Sequence, residues 1–142
     1  MLNITFFNSF KEYLADGTMD MDDDDFRIIL LDSDYTFDAA HSEKPQTSVS
    51  NEQLPTANGY TQNARSINAT WVNSAGVITF DGDDITWTAS GGAISASHAI
   101  IYDSTHASDK LVCHISLGAQ SAGDGTDFKI TFNASGIFEL SG

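Results

Sequence analysis

The chain has 142 residues, 41% of them hydrophobic, and 20 Asp and Glu against six Lys and Arg give it a formal net charge of −14. That length supports one domain, residues 1–142, with a core of its own, and the apolar share excludes a disordered chain. The acidity excludes nucleic-acid backbones and anionic membranes as partners, because both are bound through clustered positive charge; it suits a soluble outer surface, or docking against a basic partner.

The N-terminus shows the first pattern. Phe6, Phe7, Phe10, Tyr13 and Leu14 fall at helical spacing and predict a helix over residues 5–15 with one aromatic face. Asn3 or Thr5 can cap its start and Gly17 can end it. Two readings of this face stand. It packs on a sheet, or part of it docks against another subunit. The start carries no basic region followed by an apolar one, so no signal peptide is expected: the product is expected to be made in a cytoplasm and not exported by a standard signal. No apolar run approaches the roughly 18 residues of a membrane-spanning helix.

Residues 20–25 are an acid run, but the calcium-loop pattern fails there. Asp25 stands where that loop needs glycine and Leu31 where it needs a bidentate acid. The run reads as a solvated turn. It leads into Phe26-Arg27-Ile28-Ile29-Leu30-Leu31, whose apolar residues point both ways in a strand. Such a strand is covered on both faces and is expected at the centre of a sheet.

Residues 41–58 are polar and carry Pro45 and Pro55. A loop this long is often a functional one, and this one is expected to be a surface excursion and a contact arm, with one helical turn at residues 50–54. From residue 59 the pattern is beta. Gly59-Tyr60-Thr61 opens a strand, and Ile67, Ala69 and Trp71 alternate in the next. Further alternating strands follow at residues 77–80, 85–89, 98–102, 111–117, 128–132 and 137–140, with Asn, Asp, Ser and Gly at the turns. The strand through His98, Ile100 and Tyr102 has apolar residues on both faces and is expected to be central. About eight strands without alternating helices predict an all-β fold, mainly an antiparallel sandwich or barrel, with one short N-terminal α-helix.

The residues carry no recognisable chemistry. Cys113 is the single cysteine, so no intrachain disulfide can form, and in Leu111-Val112-Cys113-His114-Ile115 it reads as a small buried hydrophobe. His41, His98, His106 and His114 show no H-x-x-x-H spacing, and there is no C-x-x-C, no G-x-S-x-G elbow and no phosphate-binding loop. His98 and His114 read as a packed or surface pair. Most Asp residues sit in turns, where their backbone hydrogen bonding explains them. Asp81, Asp83 and Asp84, or Asp124 and Asp127, could hold an incidental surface ion. Trp71 and Trp87 are either a sugar platform or core. No catalytic, cofactor or metal residue is expected.

Several segments together resemble a known group. They are Phe6-Phe7-Asn8-Ser9-Phe10-Lys11-Glu12, Ile29-Leu30-Leu31-Asp32-Ser33-Asp34-Tyr35-Thr36-Phe37-Asp38, Phe80-Asp81-Gly82-Asp83-Asp84-Ile85-Thr86-Trp87-Thr88-Ala89 and Asp127-Phe128-Lys129-Ile130-Thr131-Phe132-Asn133-Ala134-Ser135-Gly136-Ile137. The chain is similar in them to small proteins encoded among the structural genes of tailed bacteriophages and prophages. The resemblance implies a virion protein without enzymatic activity. It favours a capsid decoration (cement) protein on the capsid exterior, with a tail- or fibre-associated protein, such as a host-glycan binding module, as the alternative. The implied partners are the major capsid protein and copies of the chain itself, with no cofactor. The contact residues expected are Phe6, Phe7 and Phe10 on the aromatic face and Pro45, Leu54 and Pro55 on the 41–58 loop.

Overall fold

The computed structural model describes residues 2–141. Its elements are β1 (Asn3–Phe6), α1 (Asn8–Ala15), β2 (Phe26–Leu31), α2 (Thr47–Ser50), β3 (Thr70–Ser74), β4 (Val77–Asp81), β5 (Ile85–Thr88), β6 (Ile94–Asp103), β7 (Lys110–Ala122), β8 (Asp127–Ile130) and β9 (Phe138–Leu140). Every strand pairing is antiparallel. The strands form a four-stranded sheet in the order β1-β7-β6-β2, a three-stranded sheet β3-β4-β9 and a two-stranded sheet β5-β8. The all-β, antiparallel expectation holds, and β6 is central, between β7 and β2.

The four-stranded sheet is buried on both faces. On one, Phe26, Ile28, Leu30, Ala99, Ile101 and Ile115 join Phe80 of β4, Trp87 of β5 and Phe128 of β8 in the main core. The two smaller sheets therefore cover this face. On the other, Ile29, Leu31, Ile100, Tyr102 and Leu111 form a second cluster with Phe7, Tyr35 and Val49. Each large apolar side chain so buried contributes about 1.5–3 kcal/mol.

β2 corrects one expectation. It is apolar on both faces as read, yet it lies at an edge of its sheet rather than the centre. Irregular chain occupies that edge. The Leu54 N–H donates to Leu30 O, Ile28 N–H to Arg65 O, and Ile67 N–H to Phe26 O, at 2.9–3.1 Å. Tyr60 Oη accepts the Leu30 N–H at 3.1 Å. Residues 52–67 thus do the work of a neighbouring strand without its regular pairing.

The N-terminus corrects another. The helix starts at Asn8, and Asn3–Phe6 is a strand paired to β7. Asn3 and Thr5 therefore cap nothing: they sit opposite Ser116 and His114. Pairing with a long neighbouring strand outweighs a helical spacing that only Phe7 onward needs. Gly17, at φ +81°, follows the helix end as expected.

Residues 59–61 form no strand. Gly59 has φ +91°, and a Cβ there would lie 2.1 Å from the Thr88 carbonyl oxygen, so the tight approach to β5 requires glycine. The 41–58 arm is pinned down rather than free. Its helical turn falls at 47–50, not 50–54, and buries Val49 in the second cluster. Gln46 Oε1 accepts the N–H groups of Ser42 and Glu43.

Candidate functional site

The six expected contact residues do not share one surface. Phe7 and Phe10 are 0% and 2% exposed, in the second and main clusters respectively, so neither is a surface anchor on this chain. Phe6 is half-buried. It stacks on Phe10 at 5.4 Å and meets Phe138 edge-on at 4.9 Å. Pro45 and Pro55 are exposed, and Leu54 is half-buried against the main core. Leu54 and Pro55 border a hollow of about 190 Å³ with Tyr60 and Ile94, away from Phe6.

Phe138 also lines a larger feature. β1 ends the four-stranded sheet and β9 ends the three-stranded one, so each has an edge without a strand partner among the described residues. Between them runs a groove of about 390 Å³. Leu2 and Ile4 line one side, and Phe132, Ile137 and Phe138 the other, with Asn3, Asn133 and Glu139 at the margins. Leu2 and Ile4 come from the stretch read as a helix cap, so the sequence hid this side of the groove. A trough of mixed polar and apolar lining flanked by strand edges suits an extended peptide, whose backbone pairs with an edge while alternate side chains enter the trough.

The tryptophans do not form a sugar platform. Trp87 is buried, with the Arg65 guanidinium 5.5 Å from its ring centre. Trp71 is half-buried against Phe80 and Phe138.

Two polar clusters that contain histidines stand out among the described residues. In the first, His98 Nδ1 and His114 Nε2 are 2.9 Å apart, and the Tyr35 ring packs on both histidines. Burial, with His98 beside it, pushes the His114 imidazole down to about 4. Tyr35 Oη lies 3.2 Å from His41 Nδ1, and His41 Nε2 lies 2.7 Å from Ser48 Oγ. The Ser48–His41 spacing is that of a nucleophile and a base, but a tyrosine hydroxyl rather than a carboxylate meets the other ring nitrogen.

In the second cluster, Asp103 ends β6, His106 lies in the following loop, and Asp24 is the penultimate residue of the acid run before β2. Asp103 is 0% exposed. Its Oδ1 accepts the Thr105 N–H at 2.9 Å, while Oδ2 has no hydrogen-bond partner. Burial, and then Asp24 beside it, pushes the Asp103 carboxyl up to about 7. Only the Asp103/His106 spacing was visible in the sequence; Asp24 joins them because β2 pairs with β6, setting Phe26 opposite Asp103. Comparison with protein-family models finds no match to this chain, and neither does comparison with curated proteins or with solved structures.

Proposed function

We propose that the chain is a non-enzymatic structural protein of a tailed-phage virion, a decoration protein that clamps the outside of the capsid. The observation that carries this reading is the groove between β1 and β9. A clamp needs a surface that grips a segment of a neighbouring subunit, and two strand edges around a trough with both polar and apolar lining suit that role. The resemblance of the strand and turn segments to tailed-phage structural proteins supports the location. The net charge of −14 supports docking on a basic partner surface.

The partners are the major capsid protein, which inserts an extended segment, and further copies of this chain around a symmetry axis. Symmetry repeats a modest contact many times, so each copy needs little affinity of its own. Quantitative protein analysis of purified particles tests the reading. Hundreds of copies per particle, and rebinding of purified chain to capsids that lack it, are expected. Recovery in purified tails together with failure to bind such capsids would replace decoration with a tail or fibre role.

A further inference from the structure

We propose that Asp24, Asp103 and His106 form a binding site for one divalent transition-metal ion, with zinc the species that fits best.

The first argument is distance. His106 Nε2 lies 3.3 Å from Asp24 Oδ2 and 3.5 Å from Asp103 Oδ2. Those separations are long for charge-assisted N–H···O hydrogen bonds, which run about 2.7–2.9 Å. Neither His106 Nε2 nor Asp103 Oδ2 makes a hydrogen bond, although both atoms are shielded from solvent. Three ligand atoms, one from each residue, all lie within 4.8 Å of one another. Tetrahedral ligands held about 2.0–2.2 Å from one ion sit about 3.3–3.6 Å apart, which is the spacing seen around the imidazole.

The second argument is the orphaned oxygen. A fully buried carboxylate oxygen without a partner is costly. Asp103 Oδ2 is held facing the other two ligands because Thr105 fixes its sister oxygen. An ion at the focus would satisfy Asp103 Oδ2 and His106 Nε2 at once. Two carboxylates would also balance its double charge.

The third argument is the frame. The Asp25 N–H donates to Thr105 Oγ1 at 2.8 Å, and the Ser104 N–H donates to Asp25 O at 2.9 Å. Asp24 Oδ2 accepts the Asp20 N–H at 2.9 Å. The two segments that carry the ligands are thus tied to each other before any ion arrives.

The donor set selects the metal class. An imidazole nitrogen favours zinc and its neighbours, whereas calcium and magnesium prefer oxygen throughout. Three protein ligands leave a fourth tetrahedral position to water. The His106 side chain is about one-third exposed, although its Nε2 is shielded.

The test is calorimetric titration of the purified, chelator-stripped full chain with zinc chloride. One ion per chain, binding tighter than about 1 µM, is expected. Asp24→Asn and His106→Gln should each weaken it at least about tenfold. Both are chosen over Asp103 because their side chains are partly exposed and the metal-free variants should melt near wild type. His41→Gln should leave binding unchanged. Cobalt(II) should give the strong visible bands of tetrahedral coordination, lost in His106→Gln. The proposal is overturned by zinc binding weaker than about 100 µM. It is equally overturned by tight binding that survives both Asp24→Asn and His106→Gln, or by millimolar calcium displacing the zinc.

Discussion

His114 is the side chain whose environment departs furthest from what a histidine ordinarily meets in water. It stacks on Phe37 at 4.7 Å, packs against Tyr35 and shares one hydrogen bond with His98. That bond needs one ring nitrogen bearing a proton and the other bare, so the two rings cannot both be charged while it stands. Burial lowers His98 as well, with Asp32 pulling the other way. The folded His114 value, about 4, is below the ordinary 6.5, so the unfolded chain binds more protons between those limits. Stability is therefore fully present above pH 6.5 and is lost as pH falls toward 4. At about 1.4 kcal/mol per pH unit, the loss reaches about 3 kcal/mol. Carboxylates titrate in the same window, so the expected result is a difference: His114→Phe should lose less melting temperature than wild type between pH 7 and 4.5. Equal losses would show that His114 titrates normally. Cys113 tells a simpler story. It is fully buried, burial pushes its thiol up to about 12, and the small-hydrophobe reading matches that setting.

At the scale of elements, the edge of β2 carries the most consequence. A long apolar strand with an exposed edge is an aggregation hazard, and here residues 52–67 cover it. Tyr60 is central to the cover, since its hydroxyl accepts both the Leu30 N–H and the Gln53 Nε2–H. Tyr60→Phe should therefore destabilise by about 1–3 kcal/mol, the cost of leaving a buried donor unpaired. Urea unfolding would measure it, and a change under about 0.5 kcal/mol would mean that water replaces the hydroxyl. Gly59→Ala should cost more, since its Cβ would collide with the Thr88 carbonyl at a left-handed φ. These contacts also show what the sequence could and could not tell. The alternation of Ile85, Trp87, Phe128 and Ile130 announces strands because one face of each is wet. Within residues 52–67 the strand expected at 59–61 does not form, because long-range hydrogen bonds and left-handed turns at Asn58 and Asn63 shape the stretch. The N-terminal helix was read three residues too early because Phe6 belongs to a strand that only β7 makes possible.

For the whole molecule, the proposed docking would draw on two separable features, the acidic surface and the groove. Three of the six basic side chains, Arg27, Lys44 and Lys110, pair with nearby acids. Such pairs add little to stability at the surface, and they leave the acidic excess free to act at a distance. A uniform excess steers encounter with a basic partner and acts on the association rate. The groove, once filled, excludes water from Leu2, Ile4 and Phe138 and acts on the dissociation rate. Raising salt from about 50 to 300 mM shortens the screening length from about 14 to 6 Å. The association rate on capsids lacking the protein should then fall about tenfold, with dissociation nearly unchanged. Leu2→Glu should do the reverse. It sets a charge in the trough from a half-buried position just before β1, so dissociation should speed by about tenfold or more while the melting temperature stays near wild type. The control is Val72→Glu, because Val72 is 56% exposed on β3, at the far edge of the sheet that ends in β9. It adds the same charge away from the groove and should leave dissociation unchanged. Equal effects of Leu2→Glu and Val72→Glu would remove the groove from the contact and leave charge alone to account for binding.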